Sequence, residues 1–152
     1  MDAREIRQAT PDDAPAIARL VDEAYSPYIP RIGRKPAPML DDYRQVIAEA
    51  DVFVCALDGE VAGVLVLHPQ GPVVLLENIA VAPAFKGRGI GKALLAFCED
   101  YARARRLEAI ELYTNQLMIE NIALYTKLGY RETHRATEDG FARVFMRKGV
   151  VG

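Results

Sequence analysis

One glycine-rich run constrains the fold of this 152-residue chain more than any other feature: Lys86-Gly87-Arg88-Gly89-Ile90-Gly91-Lys92. It follows the largely apolar stretch Val73–Val81 and opens a segment whose apolar residues recur at helical spacing. Glycines let the backbone turn sharply and let a ligand approach the main chain. The run therefore predicts a buried strand, a tight turn and a helix whose free N–H groups, with three basic side chains, suit an anion such as pyrophosphate.

Three phosphate-binding motifs compete for this loop, beside the plain alternative of a glycine turn with solvated basic side chains. A P-loop requires G-x-x-x-x-G-K-[ST], but Lys86 stands at the first glycine and Ala93 at the Ser/Thr position. The dinucleotide fingerprint G-x-G-x-x-G follows an early strand, whereas this run is G-x-G-x-G and lies beyond mid-chain. The acyl-coenzyme A loop, [QR]-x-x-G-x-[GA], fits Gly89 and Gly91, with Lys86 in the Gln/Arg place.

The rest of the chain alternates helix and strand patterns around a proline-rich segment. Thr10-Pro11-Asp12-Asp13 marks a helix start, and four prolines between Tyr25 and Leu40 argue against continuous helix there. Asp58-Gly59 predicts a hairpin turn, and residues 68–72 predict a second turn. Strands are predicted over 5–9, 52–57, 61–67, 73–81, 109–113, 130–135 and 141–147, and later helices over 41–49, from 89, and over 118–128. We expect an α+β fold: a single domain over 1–152 with a mixed, mainly antiparallel central sheet and helices on both faces.

Composition excludes several classes of protein. Apolar residues make up 51% of the chain and the net charge is −2, which argues against disorder and against nucleic-acid binding. The longest apolar run, residues 61–67, is too short to span a membrane, and residues 1–7 do not read as a signal peptide. Cys55 and Cys98 are interpreted as buried reduced thiols, which favours the cytoplasm. With two histidines no metal-ligand spacing occurs, so no metal is expected.

Two motifs in register carry a resemblance to a known family. The stretch 78–95, NIAVAPAFKGRGIGKALL, resembles the central motif of the GNAT N-acetyltransferases, and 123–130, ALYTKLGY, resembles their second motif. The resemblance covers residues 4–148 and implies direct transfer of an acetyl group from acetyl-coenzyme A to an amine. It also implies that strands 73–81 and 109–113 splay apart at the acetyl-coenzyme A site. The implied cofactor-binding residues are Ile79, Ala80, Val81, Lys86, Gly87, Arg88, Gly89, Ile90, Gly91, Lys92 and Asn121.

Tyr125 and Glu77 are the candidate catalytic residues. Tyr125 matches the family's tyrosine, which acts like a general acid toward the leaving thiolate; the alternative is a packed aromatic. Regular alternation places Glu77 on one strand face with Leu75, Ile79 and Val81, where a carboxylate is costly unless paired or functional. It is a candidate base for the amine, with a structural carboxylate paired to an arginine as the alternative. Related enzymes that acetylate ribosomal proteins carry a catalytic glutamate where Tyr113 stands, so their base arrangement is not expected here.

Other site residues follow the resemblance less closely. The family's cofactor-contacting asparagine would fall at Met118, so Asn115 or Asn121 is expected to replace it, or the contact is absent. Tyr28, Arg31 and Asp41, in the family's variable acceptor region, are candidate acceptor-binding residues; the alternatives are a helix cap for Asp41 and solvated arginines. Both histidines, at 68 and 134, are expected in turns or at the surface.

The function expected from these residues is acetyl transfer to the primary amine of a small molecule. A protein or peptide amine is the alternative acceptor, and a non-catalytic coenzyme A-binding module is the alternative from another class. A nucleotide-phosphate enzyme is disfavoured because no Ser or Thr follows Lys92. Acetyl-coenzyme A and an amine are the expected partners, without nucleic acid or membrane, and the resemblance allows a homodimer.

Overall fold

A seven-stranded sheet organises the protein, in the order β1-β2-β3-β4-β5-β7-β6. The computed structural model describes residues 4–150, so the predicted domain ends at 1 and 152 lie outside the described residues. All neighbouring strands are antiparallel except β4 and β5. The strands are β1 Arg4–Gln8, β2 Asp51–Leu57, β3 Glu60–Gln70, β4 Val73–Val81, β5 Ala109–Asn115, β6 Arg131–Glu138 and β7 Phe141–Gly149. The α-helices are α1 Ala14–Tyr25, α2 Ile29–Ile32, α3 Tyr43–Glu49, α4 Ile90–Ala104 and α5 Ile119–Lys127.

Helices cover both faces of the sheet, which confirms the predicted α+β class. On one face, α1 and α3 bury Ile17, Val21 and Tyr43 against β2 and β3. On the other, the apolar stripe of α4 packs with Tyr125 of α5 against β3, β4 and β5. Short 3₁₀ turns over 26–28 and 37–40 flank α2, so the proline-rich segment holds no long helix, as expected.

Strands β4 and β5 diverge, as the family resemblance implied. They pair only from Val73 with Ala109 to Leu76 with Leu112. Beyond this point β4 continues to Val81 along β3, and β5 continues to Asn115 along β7. A gap therefore opens between the carboxyl ends of two parallel strands in the middle of the sheet.

A β-bulge in β4 changes which of its side chains share a face, so the predicted alternation does not hold along the whole strand. Val66 pairs with Asn78 but Leu67 pairs with Leu76, so Glu77 is an extra residue in the ladder. Before the bulge Leu76 packs on the α4 side, and after it Ile79 does so, which inverts the alternation. The prediction that Leu75, Glu77, Ile79 and Val81 share one face is therefore wrong. Glu77 and Asn78 instead both turn toward α1 and α3.

The predicted turn at residues 68–72 is also too long. Strand β3 continues through Gln70, and only Gly71 and Pro72 form the turn to β4. Strand β2 begins at Asp51, opposite Leu67, so β3 has no neighbour on that side beyond Leu67. Pro69 therefore occupies an edge position, where a missing N–H interrupts no ladder. As a result His68 lies in a strand rather than in a turn.

Helix α4 lies unusually close to the sheet at Gly63 of β3. A Cβ atom at Gly63 would lie 2.8 Å from Ile90 Cγ2 and 2.9 Å from Leu94 Cδ1. Only glycine admits this approach without displacing the helix or the strand. The close contact fixes the first turn of α4 relative to β4, and thereby fixes the glycine-rich loop between them.

Candidate active site

A cavity of about 480 Å³ occupies the gap between the splayed ends of β4 and β5. It brings together residues from β4, β5, α5, the proline-rich segment and the turn between β6 and β7. Six candidate site residues from the sequence line it: Asp41, Glu77, Ile79, Asn115, Asn121 and Tyr125. Two strands, one helix and a loop that are distant in sequence thus converge on one pocket.

Tyr125 of α5 enters the cavity from the α4 side of the sheet. Its side chain is 6% exposed and packs edge-on against Tyr130, with ring centroids 5.7 Å apart. Burial, and next the neighbouring Cys98, raise the pKa of the Tyr125 hydroxyl. The pKa of Tyr25, across the cavity, is raised by burial and next by Tyr125. Tyr125 therefore keeps its proton at neutral pH and is a donor aimed into the gap.

Glu77 enters the same cavity from β4, and its partner is a histidine rather than the arginine that the sequence alternative supposed. Its Oε2 is hydrogen-bonded to Nε2 of His68, which lies beside it in β3. Both side chains are 31% exposed. Burial, and next the charge of Glu77, raise the pKa of Asp41. Two carboxylates thus share one wall of the cavity.

A chain of hydrogen bonds around Asn78 fixes the floor of the cavity. The Tyr25 hydroxyl donates to Asn78 Oδ1 at 2.8 Å, and Asn78 Nδ2 donates to the Tyr43 hydroxyl at 3.2 Å. That hydroxyl donates in turn to the carbonyl oxygen of Pro38 at 2.6 Å. Because Asn78 is 5% exposed, these bonds satisfy a buried amide and tie α1, α3 and the proline-rich segment to β4.

The glycine-rich loop lies at the end of β4, beyond the cavity. Gly87 has φ +83° and Gly89 has φ +75°, both in the left-handed region. Gly89 is the N-cap of α4, and Lys86, Arg88 and Lys92 are exposed around it. A Cβ at Gly87 would meet nothing within 4 Å, and one at Gly89 would meet only Arg4 Nη1, at 4.0 Å. The loop therefore presents an open, positively charged cradle that fits the pyrophosphate of a coenzyme A molecule.

The acceptor candidates separate into two groups. Asp41 lines the cavity and is not the cap of α3, because Asp42 accepts the hydrogen bond from Arg44 N at 3.1 Å. Tyr28 and Arg31 lie outside the lining. Arg31 forms an ion pair with Glu120 at 2.6 Å and stacks 5.2 Å from the centre of the Tyr28 ring. This contact bridges α2 to the first turn of α5.

Asn115 and Asn121 both lie at the cavity. Asn115 Oδ1 accepts a hydrogen bond from Leu117 N at 2.9 Å, so this side chain stabilises the turn before α5. Asn121 projects from the first half of α5 and is partly exposed. The geometry supports Asn121 as the cofactor contact and gives Asn115 a structural role.

Several cavity residues were not identified as site residues from the sequence. Asn78 carried the same signal as Glu77, a polar residue inside an apolar strand. Arg143 lies 4.3 Å from the Tyr113 ring centroid and pairs with Glu138 at 2.9 Å, but nothing local marks it in the sequence. His134 lies on β6, which is a surface strand and not a turn. Its ring stacks on that of Phe145 in β7, with the ring centroids 4.3 Å apart. Its predicted exposure agrees with the structure.

Two further features bear on the class of site. Within residues 4–150, histidine, cysteine and acidic side chains form no group of three or more that could hold a metal ion. Over the same residues, no helix combines the length and apolar character needed to cross a membrane.

Both cysteines, Cys55 and Cys98, are buried free thiols, and burial raises the pKa of Cys98 to about 12.

Sequence comparison places this geometry among known proteins. The profile of the Acetyltransferase (GNAT) family matches residues 16–130. An aminoglycoside N(6')-acetyltransferase type 1 from Stenotrophomonas maltophilia is 33% identical over 147 residues, covering 88% of this chain and 90% of that protein. An aminoalkylphosphonate N-acetyltransferase from Salmonella typhimurium is 32% identical over 83 residues, covering 51% of this chain and 54% of that protein.

Comparison of structures gives the same fold. The PaiA N-acetyltransferase from Thermoplasma acidophilum, solved in complex with coenzyme A, superposes with a TM-score of 0.78. The alignment covers 97% of this chain and 99% of that one at 16% identity. At this identity the likeness establishes the fold alone.

Proposed function

Because this chain belongs to the GNAT family and is an N-acetyltransferase, we propose that it transfers the acetyl group of acetyl-coenzyme A directly to the primary amine of a small molecule. One observation carries the proposal. Glu77 and Tyr125 line the same cavity, from opposite sides of the gap between β4 and β5. The glycine-rich loop stands at the end of β4, where a coenzyme A threaded into that gap would need its pyrophosphate held.

The cofactor side of the proposal uses the main chain and the loop. When bound, acetyl-coenzyme A supplies the acyl carbonyl and a thiol leaving group. Ile79, Ala80 and Val81 lie on the part of β4 that β5 does not pair, so their main-chain groups can hydrogen-bond the pantetheine arm. The amides from Gly87 to Lys92, at the positive end of α4, hold the pyrophosphate.

Two side chains move protons. Glu77 takes a proton from the acceptor amine, so that the nitrogen lone pair becomes the nucleophile. Tyr125, kept protonated by burial, donates its hydroxyl proton or a strong hydrogen bond to the departing sulfur. No covalent intermediate on the protein is needed.

The acceptor side favours a small, cationic amine over a protein. Asp41 and Glu77 give one wall of the cavity a negative charge, which attracts an ammonium group. The two relatives compared above are named for an aminoglycoside and an aminoalkylphosphonate acceptor, which also supports a small molecule.

Substitution of Tyr125 by phenylalanine tests the mechanism, because it keeps the ring packed against Tyr130. We expect kcat to fall by about 10²–10⁴-fold, the usual range for an acid–base group. The KM for acetyl-coenzyme A and the melting temperature should hardly change. An unaltered chemical step in pre-steady-state measurements would remove Tyr125 from the mechanism, and equal loss of affinity and rate would make it a binding residue.

A panel of acceptors tests the substrate class. Thiol release from acetyl-coenzyme A is measured with small amines and with peptides carrying free amino groups. Higher kcat/KM for small amines supports the proposal. Transfer to peptides alone would assign a peptide or protein acceptor, and binding of coenzyme A without transfer to any amine would assign a binding module.

A cytoplasmic location and a homodimer remain predictions. Strand β6 forms one edge of the sheet, with mostly exposed side chains, and is the surface on which a second copy would pair. Light scattering on the purified protein tests the dimer, because a monomer mass at micromolar concentration would contradict it.

A further inference from the structure

A second cavity, of about 240 Å³, backs onto the one described above. Asp41 and Glu77 line both cavities and therefore form a common wall. The remaining lining of the second cavity comes from β3 and from the residues in and before α3: Asp42, Gln45, Val46, Glu49 and His68. A cavity of this size with polar walls can hold water.

His68 is the only basic side chain in this lining. Its Nε2 faces Oε2 of Glu77, and because a carboxylate oxygen accepts hydrogen bonds, Nε2 carries a proton. Across the part of the chain that the structure describes, Glu77 has no other ion-pair or hydrogen-bond partner for its side chain. The second carboxylate oxygen, Oε1, is thus free for another contact.

The strand register before the bulge in β4 places Glu77 on the face that His68 shares. His68 lies opposite Leu75, two positions before Glu77 along β4. Glu77 lies on the same face as Leu75 and meets the imidazole, and the bulge turns Asn78 to that side as well. Bulges that re-aim a side chain are frequent beside active sites.

The surroundings of Glu77 give His68 an electrostatic role. Asp41, Asp42 and Glu49 line the second cavity with the pair, and Tyr43 and Tyr113 interact with Glu77. Arg34, Arg143 and Asp139 line the first cavity with Glu77 and Asp41. Within the lining of the second cavity the imidazole is the only basic group, and it is the one group hydrogen-bonded to Glu77 among the described residues. Without the imidazole, Glu77 would lose this hydrogen bond and would face Asp41, whose pKa is already raised by burial and next by the charge of Glu77.

We propose that His68 is a positioning residue for acetyl transfer: its Nε2–H holds Oε2 of Glu77 on the side of the second cavity, so that Oε1 takes the proton of the acceptor amine. The inference rests on the proposed function, in which Glu77 is the base. During transfer an N–H bond of the acceptor ammonium breaks and an O–H bond forms at Oε1, which leaves the electron pair on nitrogen. That pair forms the new C–N bond to the acetyl carbon, the C–S bond breaks, and coenzyme A leaves as a thiol with the Tyr125 proton, which a second proton from the nitrogen replaces. His68 keeps its own proton throughout.

Four variants test the role through kcat/KM measured against pH: His68→Ala, His68→Gln, Glu77→Gln and the double variant His68→Ala/Glu77→Gln. We expect His68→Ala to lower kcat/KM by roughly 10–100-fold, because misplacing a reacting group by about 1 Å costs this much. Its acid limb should also differ from that of the wild type. His68→Gln retains an N–H donor and should recover at least half of the lost factor on a logarithmic scale. In the Glu77→Gln background, His68→Ala should cost less than twofold, since there is no base left to position.

His134→Ala is the matched control, because it removes the chain's other histidine from an exposed strand away from both cavities. It should leave kcat/KM and its pH profile unchanged. Coenzyme A affinity and the melting temperature are measured for every variant to separate positioning from folding. If His68→Ala fails to fold, His68→Gln with its pH profile decides instead: a wild-type rate at high pH with an altered acid limb supports the role.

The outcomes separate the inference from the function on which it rests. If Glu77→Gln keeps the wild-type rate, Glu77 is not the base and the proposed mechanism fails, together with this inference. If Glu77→Gln loses activity while His68→Ala keeps the wild-type rate and pH profile, only the positioning role is overturned. A full additional loss from His68→Ala in the Glu77→Gln background would also overturn it, since His68 would then act independently of Glu77.

Discussion

Replacing Gly63 by alanine measures how tightly α4 is held against the sheet. The new Cβ would stand 2.8 Å from Ile90 Cγ2 and 2.9 Å from Leu94 Cδ1. Carbon atoms pack best at about 3.5–4.0 Å, so each contact must lengthen by roughly 0.6–1.2 Å. Ile90 is 1% exposed and Leu94 is fully buried, so neither side chain has solvent to move into. The strand or the helix must shift.

The expected cost follows from this overpacking. An extra methyl group in a packed core costs about 1–3 kcal/mol. Alanine also restricts the unfolded chain relative to glycine, which offsets about 0.4–1 kcal/mol. The middle of the two ranges leaves a net loss of unfolding free energy of about 1.3 kcal/mol, or a melting temperature lower by about 3–5 °C for a domain of this size.

Urea and thermal unfolding of Gly63→Ala, followed by circular dichroism, provide the measurement. Gly91→Ala is the control, because its Cβ would make an ordinary 3.8 Å contact with Val81 Cγ2 and lies within α4. It should leave stability unchanged or raise it by up to about 1 kcal/mol. A Gly63→Ala protein as stable as wild type, with an unchanged m-value, would refute the argument that α4 cannot yield at this position.

Three further predictions concern other sites. Gly89→Asp should weaken coenzyme A binding at least tenfold in calorimetry. The control is Gly59→Asp, at a similar φ of +85° in an open turn, which should destabilise the fold comparably and leave the coenzyme A affinity within threefold of wild type. Equal affinities of the two variants would contradict the assignment of the loop to the cofactor. Within residues 4–150, the Tyr130 hydroxyl is the one buried side-chain polar atom without a hydrogen-bond partner. Tyr130→Phe should therefore be neutral, or stabilising by up to about 2 kcal/mol in urea unfolding. A loss of unfolding free energy above about 1 kcal/mol would show that the hydroxyl has a partner. The Asp13 carboxylate accepts bonds from Arg7, which chiefly lowers its pKa, so Asp13→Asn should cost about 1–2 kcal/mol at pH 7. That difference should narrow as the pH falls below 3.8, the ordinary value, toward the lower folded-state pKa; a cost independent of pH would contradict the ion pair.

The sequence predicted the elements whose limits are set locally. The bounds of β4 agree residue for residue, because a Gly-Pro turn precedes it and Pro83 follows it. Helix α4 begins where predicted, because Gly89 can adopt a left-handed N-cap. Tyr125 and Glu77 are 48 positions apart in the chain, so no local spacing could predict that they line one cavity. The family resemblance was the basis for expecting both at the active site.

The missed features all depend on how two strands align. The bulge at Glu77 is a property of the β3–β4 ladder, and the apolar residues on either side of Glu77 and Asn78 do not indicate a change of face. The position of His68 in a strand depends on where β2 begins, not on the His-Pro pair itself. The pairing of His68 with Glu77 could not be read from either residue alone, because each partner is set by the other strand.

The divergence of β4 and β5 also makes the protein mechanically two-lobed. Strands β1 to β4 form one lobe and β5 to β7 the other, joined in the sheet only by the pairs from Val73–Ala109 to Leu76–Leu112. Helix α4 packs on β3, β4 and β5 and therefore contacts both lobes across the joint. A small rotation of one lobe about this joint would widen or narrow the cavity and leave the strand pairs within each lobe intact. If the cavity is the acceptor site, as proposed above, its width can then adjust to amines of different girth.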